Sequence, residues 1–398
     1  MRASTGHVVA LGIAKLALCP FMPAHAQSNT AASAPPAVPP HFRNLDAHII
    51  RSRERDIGQF SKNDHRAAKN QAVLRRVAVN KPVSLEKNRL PTDPLSPPTT
   101  TAPPAVLEGY TADPAIRIFG DTYYLYLTSD KPNWLTTDFS VWSSKNLVEW
   151  KKERMVLDVA HDLKWAKIQA WAPDVIERGG SYYMYFCAEG NIGVATAKSP
   201  LGPFVDALGK PLLAKGMGVQ TNTIDPYPFI DSDGQAYLYF GNGKLLNVVK
   251  LKRDMITLDG PVRGIEARDH REGPVVFKRD GKYYFMWSID DARSPDYRVG
   301  WGTAASPMGP ITSPDTDFIV LKKHGVAVGT GHHSVVNVPG TDRWYAAYHR
   351  HALPVGGGYQ RQTVIARMEF MASSAIRPMD PLVAPFTTGD IGEQVRRK

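Results

Sequence analysis

The sequence predicts an all-β fold: a five-bladed β-propeller of four-stranded antiparallel blades, preceded by a largely disordered N-terminal segment. The first observation behind this is a recurring hairpin. "FGDTYYLYLTS" from Phe119, "RGGSYYMYFCA" from Arg178, "SDGQAYLYFGN" from Ser232, "RDGKYYFMWSI" from Arg279 and "GTDRWYAAYHR" from Gly340 each join a Gly/Asp turn to alternating aromatic and apolar residues. Such turns close tight antiparallel hairpins, and the alternation gives each strand one face for a core. The second observation is spacing: successive copies lie about 50 to 60 residues apart, room for four strands each. The third is a companion repeat. "IGVATAKSPLGPF" from Ile192 matches "VGWGTAASPMGP" from Val299, and "FSVWSSKNLVEW" from Phe139 is a looser version. These supply the later strands. Five equal sheets set radially bury their faces against one another around a central channel. A large β-sandwich would leave five matched hairpins unexplained.

Residues 107–385 are assigned to this propeller and 386–398 to a short tail. Ahead of it, residues 1–26 read as an export signal: Arg2, the apolar "VVALGIAKLALCPFM", then "AHA" before Gln27. The expected location is therefore periplasmic or extracellular. No run of eighteen apolar residues occurs, so no membrane span is expected. Residues 27–106 read as linker. Two Pro/Ala/Ser/Thr-rich stretches, 28–41 and 91–106, flank a basic segment without a sustained apolar face. That segment, 42–92, carries twelve Lys/Arg against five Asp/Glu and so supplies +7 of the formal net charge of +10. The propeller itself is close to neutral, which argues against a nucleic-acid-binding core. The basic segment offers electrostatic contact with an acidic polymer instead. Removal of the signal leaves one cysteine, Cys187, in an aromatic strand, so no internal disulfide holds the core.

Just before each hairpin lies a short motif: "ADPAI" with Asp113, "AWAPDV" with Trp171, "TIDPYPF" with Asp225, "REGPVVF" with Glu272 and "GHHSVV" with His332. Four contain Pro near the strand entry, where a missing N–H costs no ladder bond. In a propeller the first strand of every blade runs beside the axis, so these residues converge on one space. Three carboxylates together are costly, because like charges raise one another's pKa. Glycoside hydrolysis has a use for them. One carboxyl is kept protonated for the leaving oxygen and one is kept ionised to act on water or the sugar carbon, while a third tunes the first.

On these five motifs, in this order and spacing, residues 107 to about 370 resemble glycoside hydrolase family 43. The resemblance implies a five-bladed propeller that inverts configuration. It implies Asp113 as general base, Asp225 as modulator of the acid's pKa and Glu272 as general acid. Trp171 would line the sugar subsite. Arg361, in "GGYQRQTVIARMEF", would contact the sugar. It also implies a calcium ion beside the histidine of "GTGHH", His332, although a lone histidine is poor chemistry for a cation that prefers oxygen. The implied activities are α-L-arabinofuranosidase, β-xylosidase or endo-arabinanase acting on plant hemicellulose or pectic polysaccharide, with arabinofuranosidase favoured. A non-catalytic carbohydrate-binding propeller is the rival, as is a protein whose basic 42–92 region does the essential work. Asp174, His333 and His349 read as structural or supporting residues. Asp290 and Asp291, in "SIDDARS", stay unassigned.

Overall fold

The computed structural model describes residues 101–217 and 222–386; the signal, linker and tail assignments lie outside them, apart from residues 101–106 and 386. Nineteen strands fall into five antiparallel sheets in chain order. Blade one holds β1 (Thr111–Phe119), β2 (Thr122–Ser129), β3 (Asp138–Ser144) and β4 (Lys151–Asp158). Blade two holds β5 (Trp171–Arg178), β6 (Ser181–Ala188), β7 (Asn191–Ala197) and β8 (Val205–Asp206). Blade three holds β9 (Tyr227–Ile230), β10 (Ala236–Phe240), β11 (Leu245–Leu251) and β12 (Arg263–Glu266). Blade four holds β13 (Glu272–Arg279), β14 (Lys282–Ile289), β15 (Arg298–Ala304) and β16 (Ile319–Leu321). Blade five holds three strands, β17 (Gly331–Asn337), β18 (Trp344–His351) and β19 (Arg361–Met368).

The five hairpins read from the sequence are β1–β2, β5–β6, β9–β10, β13–β14 and β17–β18. The first strands of neighbouring blades touch in cyclic order, and β17 meets β1 to close the ring. The fifth blade differs from the others at its edge. Instead of a fourth strand, residues 103–107 lie against it. Val106 N–H donates to Thr363 O at 3.0 Å, Arg350 Nη2 donates to Pro103 O at 2.7 Å, and Leu107 is buried. Residues 103–106, read from the sequence as linker, therefore pack against the edge of blade five. No helix among the described residues is long and apolar enough to cross a membrane.

The core lies between blades. One apolar cluster joins blades one and two, a second blades two and three, a third blades three to five, and a fourth blades five and one. Aromatic side chains from the alternating runs meet edge to face across the seams: Phe119 with Tyr182 at 5.0 Å and Tyr239 with Phe285 at 5.8 Å between ring centroids. Near the axis a buried ion pair adds a polar link. Arg117 of β1 donates from Nε and Nη2 to both oxygens of Asp174 on β5, at 2.7 and 2.5 Å, reaches Pro228 O on β9 at 3.1 Å, and lies over the Tyr227 ring.

The strand entries share one backbone device. Asp113, Ala172, Asp225, Gly273 and His332 all have left-handed φ, at 50°, 44°, 59°, 60° and 39°. In four blades the ladder slips there, between Ala112 and Ala115, Trp171 and Asp174, Glu272 and Val275, and Gly331 and His333. Each is a β-bulge that re-aims side chains at the axis. Pro114, Pro173, Pro226 and Pro274 follow the left-handed residue directly, where the ladder is already broken.

Arg117→Leu strands the Asp174 carboxylate in the core. It is expected to cost about 3–5 kcal/mol in denaturant unfolding, and the double variant Arg117→Leu/Asp174→Leu is expected to recover much of that loss.

Candidate active site

One cavity of about 220 Å³ sits at the axis, and all six residues singled out in the sequence line it: Asp113, Trp171, Asp225, Glu272, His332 and Arg361. Trp134, Ile224, Asp291, Ala292 and Arg293 complete the wall. The bulges bring this about. In blades one, three and five the left-handed residue itself carries the functional group. In blades two and four it is the residue before it, Trp171 or Glu272, and the left-handed position falls to Ala172 or Gly273. Gly273 suits this position chiefly through its φ of 60°, and a Cβ there would also crowd Ser288 Oγ at 3.2 Å and the His332 ring at 3.3 Å.

Asp113 is buried among cationic and imidazole groups. Arg361 Nη1 donates to its Oδ1 at 2.8 Å, and Nη2 lies 3.4 Å from Oδ2. His332 Nδ1 is 3.3 Å from Oδ1, and the fully buried His349 places Nδ1 3.2 Å from both Oδ1 and the backbone nitrogen. Burial pushes the carboxyl up, but Arg361, then His332 and His349, outweigh it and hold Asp113 well below the usual carboxylate range. Arg361 is held in turn by Asp130, whose oxygens accept from Nε at 2.9 Å and Nη2 at 2.6 Å. Its guanidinium lies 4.9 Å over the Trp134 ring. Arg361 does line the cavity, but its principal bonds go to these two carboxylates.

The other two carboxyls move the opposite way. Asp225 accepts from Gly273 N–H at 3.1 Å and lies 3.7 Å from His332 Nδ1. Burial, then the charges of Glu272 and Asp113, push it well above the carboxylate range. Glu272 is raised by burial, against the pull of a Tyr297 hydrogen bond and of Arg271. Tyr297 Oη donates to Oε1 at 2.9 Å, and Asn242 Nδ2 donates to Oε2. One carboxyl is therefore held below the usual carboxylate range and two above it, the direction of separation that acid–base cleavage needs.

Trp171 faces the cavity edge-on to Trp134, with centroids 6.2 Å apart, and donates from Nε1 to Trp134 O at 3.0 Å. Trp134 follows Asn133, and both have left-handed φ, at 64° and 58°. Asp291 reaches the cavity wall and is paired with Arg293 at 2.7 Å; Asp290 is not among the lining residues. Asp174 is bound to Arg117, and His333 is buried, its imidazole pushed down to about 3 by burial. Among the described residues no three His, Cys, Asp or Glu side chains are grouped as around a metal ion. The sequence reading missed Trp134, Asp130, Asn242 and Tyr297. The one signal it held for them was their place just after a hairpin strand or ahead of the third strand of a blade.

Replacing Asp225 by Asn removes a carboxyl that folding makes harder to ionise. A raised folded-state pKa gives stability that is full below the unfolded value and lost as pH rises through the folded one. Asp225→Asn is therefore expected to melt a few degrees above wild type near pH 8, with the gap narrowing towards pH 4, in scans at a series of pH values.

A family model, glycosyl hydrolases family 43, matches residues 103–375. The chain is 35% identical to a beta-D-galactofuranosidase of Aspergillus niger, over 71% of this chain and 86% of that protein. It is 30% identical to an arabinoxylan arabinofuranohydrolase of Bacillus subtilis, over 60% of this chain and 55% of that longer protein. Among solved structures, an alpha-L-arabinofuranosidase from Clostridium thermocellum superposes with a TM-score of 0.59 at 30% identity, covering 68% of this chain and 93% of that one. With the cavity, its three carboxyls and these matches together, the chain belongs to glycosyl hydrolases family 43 and is a glycosidase.

Proposed function

We propose that this protein is an exported, inverting glycoside hydrolase that removes terminal L-arabinofuranose, or D-xylose, from plant hemicellulose or pectic polysaccharide. The observation that carries the reading is the opposed bias of Asp113 and Glu272 across one cavity. Glu272 gives its proton to the glycosidic oxygen as the bond from that oxygen to the anomeric carbon breaks. Asp113, ionised, takes a proton from a water on the far face of the ring, and the water oxygen bonds to the anomeric carbon. Asp225 aligns the acid by accepting the N–H of Gly273, the residue that follows Glu272. Trp171 and Trp134 offer the ring apolar walls, and Arg361 holds the base in place. The cavity, about 220 Å³, is smaller than the roughly 300–1,000 Å³ of drug-sized sites, which favours one terminal sugar over a bound run of sugars.

The xylose reading draws support from other relatives named xylosidase/arabinosidase, and the furanose reading from the two relatives reported above, both named for furanosides. The first of them supports a second reading: β-D-galactofuranose shares its ring configuration with α-L-arabinofuranose and differs in the exocyclic group. A calcium ion beside His332 would have one imidazole as its protein ligand and water for the rest. That is a poor fit for a cation that takes six to eight oxygens, and no step above runs through it. The basic 42–92 segment is proposed as an electrostatic tether to acidic polymer, dispensable for hydrolysis.

The test is hydrolysis of 4-nitrophenyl α-L-arabinofuranoside, β-D-xyloside and β-D-galactofuranoside by wild type and by Glu272→Ala. Turnover of one substrate that falls in the variant is expected and selects the sugar. An activated aryl group needs little acid help, so a residue of activity in the variant agrees with the acid role. No turnover of any of the three, nor of arabinan, would move the assignment to a binding-only propeller.

A further inference from the structure

Glu272 is the one carboxyl of the three whose two oxygens are both claimed by neutral donors. Tyr297 Oη donates to Oε1 at 2.9 Å and Asn242 Nδ2 donates to Oε2. Neither donor sits on the strand that carries Glu272. Tyr297 stands ahead of β15, and Asn242 lies in the turn between β10 and β11.

Both are built in. Tyr297 is fully buried, its ring stacked on His349 with centroids 5.5 Å apart and planes 6° from parallel. Gly331 leaves it that space: a Cβ there would stand 2.4 Å from the Tyr297 ring. Burial, and after it the Glu272 charge, push the phenol well above its usual range, so it stays a donor. The amide of Asn242 is oriented from behind: Asn222 Nδ2 donates to Asn242 Oδ1 at 3.3 Å, and the two backbones pair in a β-bridge. With its oxygen occupied in this way, the amide turns its NH₂ towards Glu272.

A neutral carboxylic acid gains little from two donors. A carboxylate gains much more, because hydrogen bonds to a charged acceptor are roughly twice as strong as neutral ones. The two donors therefore act hardest on the species that appears as the proton leaves. We propose that Tyr297 and Asn242 are positioning residues for proton donation, a two-sided cradle that stabilises the Glu272 carboxylate as it forms and so promotes departure of poor leaving groups. The proposal rests on Glu272 being the acid. In the step they support, the Glu272 O–H bond breaks, the glycosidic oxygen gains that proton, and the alcohol leaves with the electrons of the broken glycosidic bond. The cradle does not touch sugar, so it leaves ground-state binding alone.

The test is a leaving-group series. Wild type, Tyr297→Phe, Asn242→Ala and Glu272→Gln are assayed on aryl glycosides of the preferred sugar, from dinitrophenyl to unsubstituted phenyl, and on an oligosaccharide substrate. Tyr297→Phe is expected to lower kcat on the oligosaccharide by about 10- to 100-fold, the worth of one charge-assisted hydrogen bond, with KM nearly unchanged. The loss is expected to shrink steadily to almost nothing on the dinitrophenyl glycoside, with Asn242→Ala following the same trend. A loss equal across the series in Tyr297→Phe, while Glu272→Gln keeps a leaving-group dependence, would overturn the cradle and leave the acid assignment standing. A flat series for Glu272→Gln would overturn the acid assignment and the cradle with it.

Discussion

The active centre depends on one backbone device, the left-handed residue at the entry of each inner strand. A regular strand alternates its side chains between the two faces of the blade, and those faces are taken up with packing against neighbouring blades. No residue of a regular strand would point along the axis. The left-handed residue, set in a bulge in four blades and just ahead of β9 in the third, breaks the alternation and turns one side chain inwards. Asp113, Ala172, Asp225 and His332 hold left-handed φ without being glycine, at about 1–2 kcal/mol apiece for an ordinary side chain and less for Asp. The seams between blades, rich in buried aromatics, supply the stability that holds this strain in place.

Convergence alone would give three mutually repelling carboxyls and no division of labour. The division comes from what each blade places behind its acid. Blade five sends Arg361, His332 and His349 to Asp113, and the connection after β2 in blade one sends Asp130 to fix Arg361. Asp225 receives a backbone N–H and Glu272 receives two neutral donors, with Arg271 at a longer 3.8 Å. One acid thus faces a full positive charge at hydrogen-bond distance, and the other two do not. Three carboxyls on one ring are thus shifted in different directions by what surrounds them, and the proposed roles of base, modulator and acid rest on that separation.

Much of this was legible before the structure. The hairpins announce themselves through turn chemistry and period-two aromatics, and the Asp-Pro, Trp-Ala-Pro and Glu-Gly-Pro motifs mark the bulges, because a residue without N–H fits where the ladder is broken. Their positions in the repeat were enough to place five cavity residues, and the family resemblance supplied the sixth, Arg361. What stayed hidden lies off that repeat. Trp134 sits on a short turn after β2, Asn242 between two glycines, Tyr297 in a loop of Ser, Pro and Asp, and Asp130 one residue beyond β2. Trp134, Asn242 and Tyr297 have no like residue at the same offset in another blade, so no periodicity singles them out; Asp130 is matched by Glu189 and Asp290 one residue beyond β6 and β14, so its place in the repeat does not set it apart from them. The Arg117–Asp174 pair was hidden for a different reason: a charged residue on an apolar strand declares its partner only when the blades meet. The three-stranded fifth blade, edged by residues 103–107, follows from ring closure, which is a property of the whole chain and of no single repeat.

The proposed mechanism has Glu272 and Asp113 acting from opposite faces of one sugar with a water between them. The measurement that tests it most directly is the stereochemical course of hydrolysis, followed by proton NMR from the first turnovers on the preferred aryl glycoside. The account requires the first-formed sugar to carry the anomeric configuration opposite to the substrate's, relaxing to the equilibrium mixture afterwards. A first-formed product of unchanged configuration would mean two displacements through a covalent intermediate, and would contradict the assignment of Asp113 as a base acting on water.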